Sequence, residues 1–225
     1  MNYKIFGESL PVVEISLENG ESVKCQAGAM SYMTANLKMD TKLGKGVFSR
    51  MFTGESMFLN TYTAQDGDGM IGFASSFPGS IRAFELSGGK QIICQKQAYL
   101  ASYGDVDFSI YLQKKLGAGF FGGEGFIMEK IGGNGTVFVE IDGSAIEKTL
   151  DIGEKLIIDT GYLAVCDSTC SIDIKGTGSF KNALFGGEGI FNTVITGPGN
   201  VIIQSIPKSK LIGAIGANTS SSSSD

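Results

Sequence analysis

The side chains that most often do chemistry are scarce in this chain. None of its 225 residues is His. That removes the commonest general base near neutral pH and the commonest transition-metal ligand. Ser-His and Cys-His nucleophile pairs cannot form within one such chain. What remains is four Cys and one acidic position that recurs. Glu55, Glu124 and Glu188 each sit between a Gly and a small residue, in the phrases FTGES (Phe52–Ser56), FGGEG (Phe121–Gly125) and FGGEG (Phe185–Gly189). Three converging carboxylates would suit a hard cation such as Ca²⁺ or Mg²⁺, which prefer oxygen ligands. They would equally make an acidic ring for a basic partner. The default reading is structural: a Glu in a Gly-rich turn accepts backbone N–H bonds, while the flanking Gly supplies positive φ. FGGEGF lacks the Lys-Ser/Thr of a phosphate-binding loop. No Asp/Glu pair stands out for glycoside hydrolysis. No catalytic residue, metal or cofactor is therefore assigned, and the chain is not expected to be an enzyme.

The same phrases expose an internal repeat. Phe52 and Phe121 are 69 residues apart, and Phe121 and Phe185 are 64 apart. Both offsets hold upstream without a gap. Leu17, Leu86 and Leu150 correspond, as do Gly20, Gly89 and Gly153, and Leu37, Val106 and Cys170. Downstream the 64-residue offset relates Gly133 to Gly197 and Val137 to Val201; the first copy follows after three extra residues within Thr61–Asp66. The units run over about 10–75, 79–141 and 143–205. A lone unit of this size has a marginal core. The expectation is one body over 1–210, three units packed around a pseudo-threefold axis, followed by a flexible Ser-rich tail over 211–225.

Read through the repeat, the cysteines lose their chemistry. Cys25 and Cys94 occupy the slot that Ile158 fills in the third unit, and Cys170 the slot of Leu37 and Val106. A free Cys in such a slot behaves as a small hydrophobe. Cys166 and Cys170 have C-x3-C spacing, yet no second pair or His completes a zinc site.

The elements that must carry these residues are strands. Val13, Ile15 and Leu17 alternate with Glu14, Ser16 and Glu18; Val23 and Cys25 continue beyond Asn19-Gly20. Apolar alternation around Asn-Gly predicts a hairpin. The G-x-G pairs at 67–69, 133–135 and 197–199 are likewise expected to be hairpin turns. The nearest approach to a helix pattern, Ser109–Leu116, aligns with strand positions in the other units. The fold class is all-β. Phe121, Phe126, Ile127 and Met128 gather beside a Gly-rich turn. Three consecutive apolar residues mean burial on both faces, the default, or a contact surface for a partner or membrane.

Composition bounds the function. Net charge is −5 and no Lys/Arg-rich run occurs, so the positive footprint of a nucleic-acid binder is missing. No apolar run approaches the roughly 20 residues that span a bilayer. The N-terminus lacks the pattern of a signal peptide, and the expected location is cytoplasmic.

Three stretches, Gln26–Met30, Phe121–Phe126 and Phe185–Phe191, carry a family likeness. With the G-x-G turns they make the chain resemble bacterial members of the altered-inheritance-of-mitochondria protein twenty-four family, over about residues 1–210. The resemblance implies three β subdomains with a tryptophan RNA-binding attenuation protein-like fold. It implies no catalytic residues. Relatives in mitochondria are associated with inner-membrane organisation. The leading expectation is a scaffold or interaction protein with an unknown protein partner. Homo-oligomerisation and peripheral membrane contact are left open. The alternative is a small-ligand or divalent-metal module built on Glu55, Glu124 and Glu188.

Overall fold

The structure, a computed structural model, describes residues 2–40, 59–114, 125–176, 191–208 and 210. Seventeen strands make up the described residues almost entirely. The first segment holds β1 (Asn2–Phe6), β2 (Val12–Leu17), β3 (Ser22–Gln26), β4 (Met30–Met33), β5 (Leu37–Asp40), β6 (Leu59–Ala64) and β7 (Gly69–Ala74). The middle segment holds β8 (Gly79–Leu86), β9 (Ile92–Gln95) and two long strands, β10 (Tyr99–Lys114) and β11 (Phe126–Asp142). The third holds β12 (Ala145–Leu150), β13 (Lys155–Asp159), β14 (Leu163–Asp167), β15 (Ser171–Gly176), β16 (Phe191–Thr196) and β17 (Gly199–Gln204). The all-β expectation is met. The residues of Ser109–Leu116 that are described, up to Lys114, lie in β10.

Burial follows the alternation closely in β2 and β3. Val13, Ile15, Leu17, Val23 and Cys25 are fully buried, and the intervening Glu14, Ser16 and Lys24 are not. The expected hairpin does not form. A turn is present, with the Glu21 N–H bonded to the Glu18 carbonyl and Gly20 at φ +87°. The two strands then enter different sheets: β2 pairs β1 and β7, and β3 pairs β6 and β10. The G-x-G sites behave alike. Residues 67–69 connect β6 to β7, which are not paired to each other, and residues 197–199 connect β16 to β17 in the same way. Residues 133–135 lie inside the continuous β11. There Gly133, at φ +102°, faces the Asp105 carbonyl with no room for a Cβ. These glycines are corners where a strand passes from one sheet to another. Alternation shows which face a strand buries; it does not show which strand lies beside it.

Within each segment the antiparallel pairings are β2–β7, β4–β7, β3–β6 and β5–β6 in the first, and β12–β17, β14–β17, β13–β16 and β15–β16 in the third. In the middle, β11 takes β8 and the start of β10 along its second half, then β9 and the end of β10 along its first half.

Three buried clusters form the core, and each takes residues from a neighbouring segment. Ile81, Leu100, Ala101 and Phe138 of the middle segment complete the first cluster; Ala164, Val165 and Ile202 of the third complete the second. Phe126 and Met128 pack into the third cluster with Ile93. Phe126, Ile127 and Met128, considered as a contact surface, are thus buried within the chain itself. β11 is covered on both faces, so Phe138, Glu140 and Asp142 are buried along with Val137, Val139 and Ile141.

Candidate functional site

Two short joints bind the three segments together. In the first, β3 meets β10 with Cys25 opposite Ala101, Lys24 opposite Ser102 and Val23 opposite Tyr103. Side chains reinforce it. The Tyr99 hydroxyl lies 3.2 Å from the Lys24 carbonyl and 2.9 Å from Ser102 Oγ. The Tyr103 hydroxyl donates to Glu21 Oε1, which holds the Tyr103 proton up to about 12 and the Glu21 carboxyl below its ordinary value. In the second joint β9 meets β14, with Cys94 opposite Val165, Ile93 opposite Cys166 and Ile92 opposite Asp167. Gln95 Nε2 donates to the Leu163 carbonyl at 2.6 Å and the Gly161 carbonyl at 3.2 Å. The two joints are the same in register: adding 69 to the β3 numbers and 64 to the β10 numbers of the first gives the second.

The same offsets identify the strands that would make a third joint. They are β13, matching β3 and β9, and β4, matching the paired stretches of β10 and β14. Among the described residues neither is used: β4 and β13 each end a sheet, bonded only to β7 and β16. A closed threefold arrangement through this joint would pair them, so the three segments follow one another in an open row. The side chains on these edges are apolar and uncovered. Ile93 is 0% exposed, while Ile157, the same residue type in the matching slot, is 65% exposed. Tyr32 and Met33 are each 38% exposed, whereas their counterparts Ala101, Val165, Ser102 and Cys166 are buried.

The groups with chemical potential lie elsewhere. All four cysteines are free and buried. Burial pushes the Cys25 thiol up to about 12 and raises Cys94 and Cys166 as well. Glu129 stands opposite Cys94 on β9, and burial raises its carboxyl to about 7 against the opposing pull of Lys96. Its Oε2 is buried without a hydrogen-bond partner. Lys208 sits 3.6 Å from both Glu140 and Asp142, and Glu140 Oε2 also accepts from Ser75 and from the Ser76 N–H and hydroxyl. An open groove of about 440 Å³ at the end of β2 gathers Glu18, Glu21 and Asp68 beside Asn2 and Thr34. Two of its carboxylates are occupied structurally, Glu21 by the Glu18 N–H and Tyr103, and Asp68 by the Asn19 N–H.

Glu55, Glu124, Glu188 and Phe121 lie outside the described residues. The unjoined edges were missed by sequence reasoning. Their slots are visible in the repeat, but sequence alone does not reveal which strand edges are left without a partner. No helix among the described residues is long and apolar enough to cross a membrane.

The family described as mitochondrial biogenesis AIM24 matches residues 3–206. An uncharacterised protein of Streptococcus pyogenes serotype M6 is 36% identical over 217 residues, spanning 91% of this chain and 85% of the relative. The X-ray crystal structure of a Streptococcus pyogenes protein aligns with a TM-score of 0.81 at 31% identity, covering 96% of this chain and 99% of that one. The chain belongs to the AIM24 family.

Proposed function

We propose that this member of the AIM24 family is a non-enzymatic scaffold that works by binding macromolecules through a rigid β surface. The observation that carries the reading is where its side chains sit. Its thiols are buried and raised in pKa, whereas large apolar side chains stand exposed on strands β1, β4 and β13: Tyr3, Ile5 and Phe6; Tyr32 and Met33; Ile157. Exposed apolar side chains on strand edges are what a binding surface needs and what a lone soluble chain normally blunts. We also read the chain as three copies of one unit with a tryptophan RNA-binding attenuation protein-like fold. The matching pairings in the three segments and the matched registers of the two joints support this. The net charge of −5 favours a protein partner over nucleic acid.

Native mass spectrometry of protein purified gently from its own host tests the reading. The expected result is a complex heavier than the 23.7 kDa chain, with no small bound mass. A chain of monomer mass carrying a small ligand that a chelator removes would overturn it, and would make Glu55, Glu124 and Glu188 the first residues to mutate.

A further inference from the structure

We infer that the partner for the two open edges is a second copy of this chain, with β13 of one copy pairing antiparallel to β4 of the next. This rests on the scaffold reading above and specifies one contact of that scaffold. The register is fixed by the two joints already inside the chain. Ile158 lies opposite Tyr32, Ile157 opposite Met33, and Leu156 opposite Thr34, as Cys94 lies opposite Val165, Ile93 opposite Cys166, and Ile92 opposite Asp167.

Three observations converge on this occupant. First, both strands have a free edge among the described residues. An unpaired edge presents a row of backbone donors and acceptors that a complementary strand can satisfy. Secondly, the edges match each other. One is the donor side and the other the acceptor side of a joint that the chain makes twice with identical register. No foreign strand has that precedent. Thirdly, the side chains fit a buried role. Ile157 would become covered as Ile93 is, and Met33 as Ser102 and Cys166 are. No Asp, Glu, Lys or Arg lies within Met30–Met33 to blunt that edge. On β13 the charges stand only at the ends, Lys155 and Asp159.

The contact is heterologous, because it uses a different patch on each copy. Such contacts extend head to tail and give a ring when the rotation closes, or a filament when it does not. The internal joints benefit from being tethered, with effective concentrations on the order of millimolar. The contact between copies lacks that help, so assembly depends on protein concentration until a ring closes.

The test uses the purified full chain alone. Sedimentation velocity across a concentration series is expected to show assemblies larger than a monomer, and Ile157→Lys is expected to abolish them. Ile157 is 65% exposed, so the variant should keep the monomer's thermal midpoint. Register is tested by mixing two single variants, Met33→Cys and Ile157→Cys, under mild oxidation. The native cysteines are buried and should not compete. A disulfide-linked dimer that forms in the mixture, and not in either variant alone, is the expected result. A chain that stays monomeric throughout overturns the inference. So does an assembly that Ile157→Lys leaves intact and the mixture fails to cross-link, since another face would then be in use. If the pure chain is monomeric but host-purified protein carries a different protein, the self-pairing fails and the scaffold reading stands. If neither associates, both fail.

Discussion

The joint between β9 and β14 and the open edges of β4 and β13 use matching slots of the same repeated pattern, yet their surroundings differ completely. In the joint, Ile93 sits in a core cluster with Phe126, Met128 and Leu163. At the edge, Ile157 projects into solvent. The difference teaches that burial here belongs to the contact and not to the residue. An Ile is core or surface according to whether a neighbouring segment is present.

The sharpest way to break the comparison is to truncate both isoleucines. Ile93→Ala removes fully buried methyl groups and leaves a cavity, so about 2–5 kcal/mol of stability should be lost. Ile157→Ala in the monomer should stay within about 0.5 kcal/mol, as exposed positions do. Urea unfolding of the two variants decides it, and equal losses would mean that Ile157 is already covered.

The next effect concerns the residues behind these strands. Glu129, Asn60 and Thr193 stand opposite Cys94, Cys25 and Ile158 respectively. Only the middle one is ionisable. Burial lifts the Glu129 carboxyl from 4.5 to about 7, so the folded state holds this proton to higher pH than the unfolded chain does. Folding is therefore favoured at low pH relative to high. Stability should fall by about 1–3 kcal/mol as pH rises from about 4.5 through 7. Glu129→Gln should flatten that slope, measured as unfolding free energy against pH. An unchanged slope would place its origin elsewhere.

A smaller effect separates the two joints from each other. Tyr103 ties the first joint to Glu21, whereas the matching Asp167 accepts from the Asn200 N–H and side chain, both at 2.8 Å. Tyr103→Phe should cost about 0.5–1.5 kcal/mol, the net value of one such hydrogen bond, read by thermal unfolding. The least perturbing comparison is chemical. In native buffer, Cys25 and Cys94 at the joints should react with a thiol reagent only as fast as the chain opens, and all four cysteines should react at once in denaturant. Fast native labelling of Cys94 would show that the second joint breathes.

Much of this architecture was legible because the pattern occurs three times. The strands, the buried faces of β2 and β3, and the cysteine slots follow from alternation and from comparing copies. The partners of the strands were not legible. Asn19-Gly20 announces a turn, but the choice between a hairpin and a corner is made by β7 and β6, more than 40 residues away in the chain. The Phe126–Met128 run showed the opposite limit. Three apolar residues in a row signal two buried faces, yet the sequence could not say that the cover would come from the third segment. The open edges were illegible for the same reason, since a missing neighbour leaves no mark on the residues that await it.

The contact between Lys208 and the pair Glu140 and Asp142 has a consequence for how the chain is made. The two acids stand on the middle segment, and their cation arrives 66 residues after Asp142. On a ribosome, β11 would emerge with two carboxylates that must stay hydrated until translation has passed Lys208. The middle segment can then take its final form only near the end of synthesis, however early its strands appear. Completion of the nascent chain and completion of its core become nearly the same event.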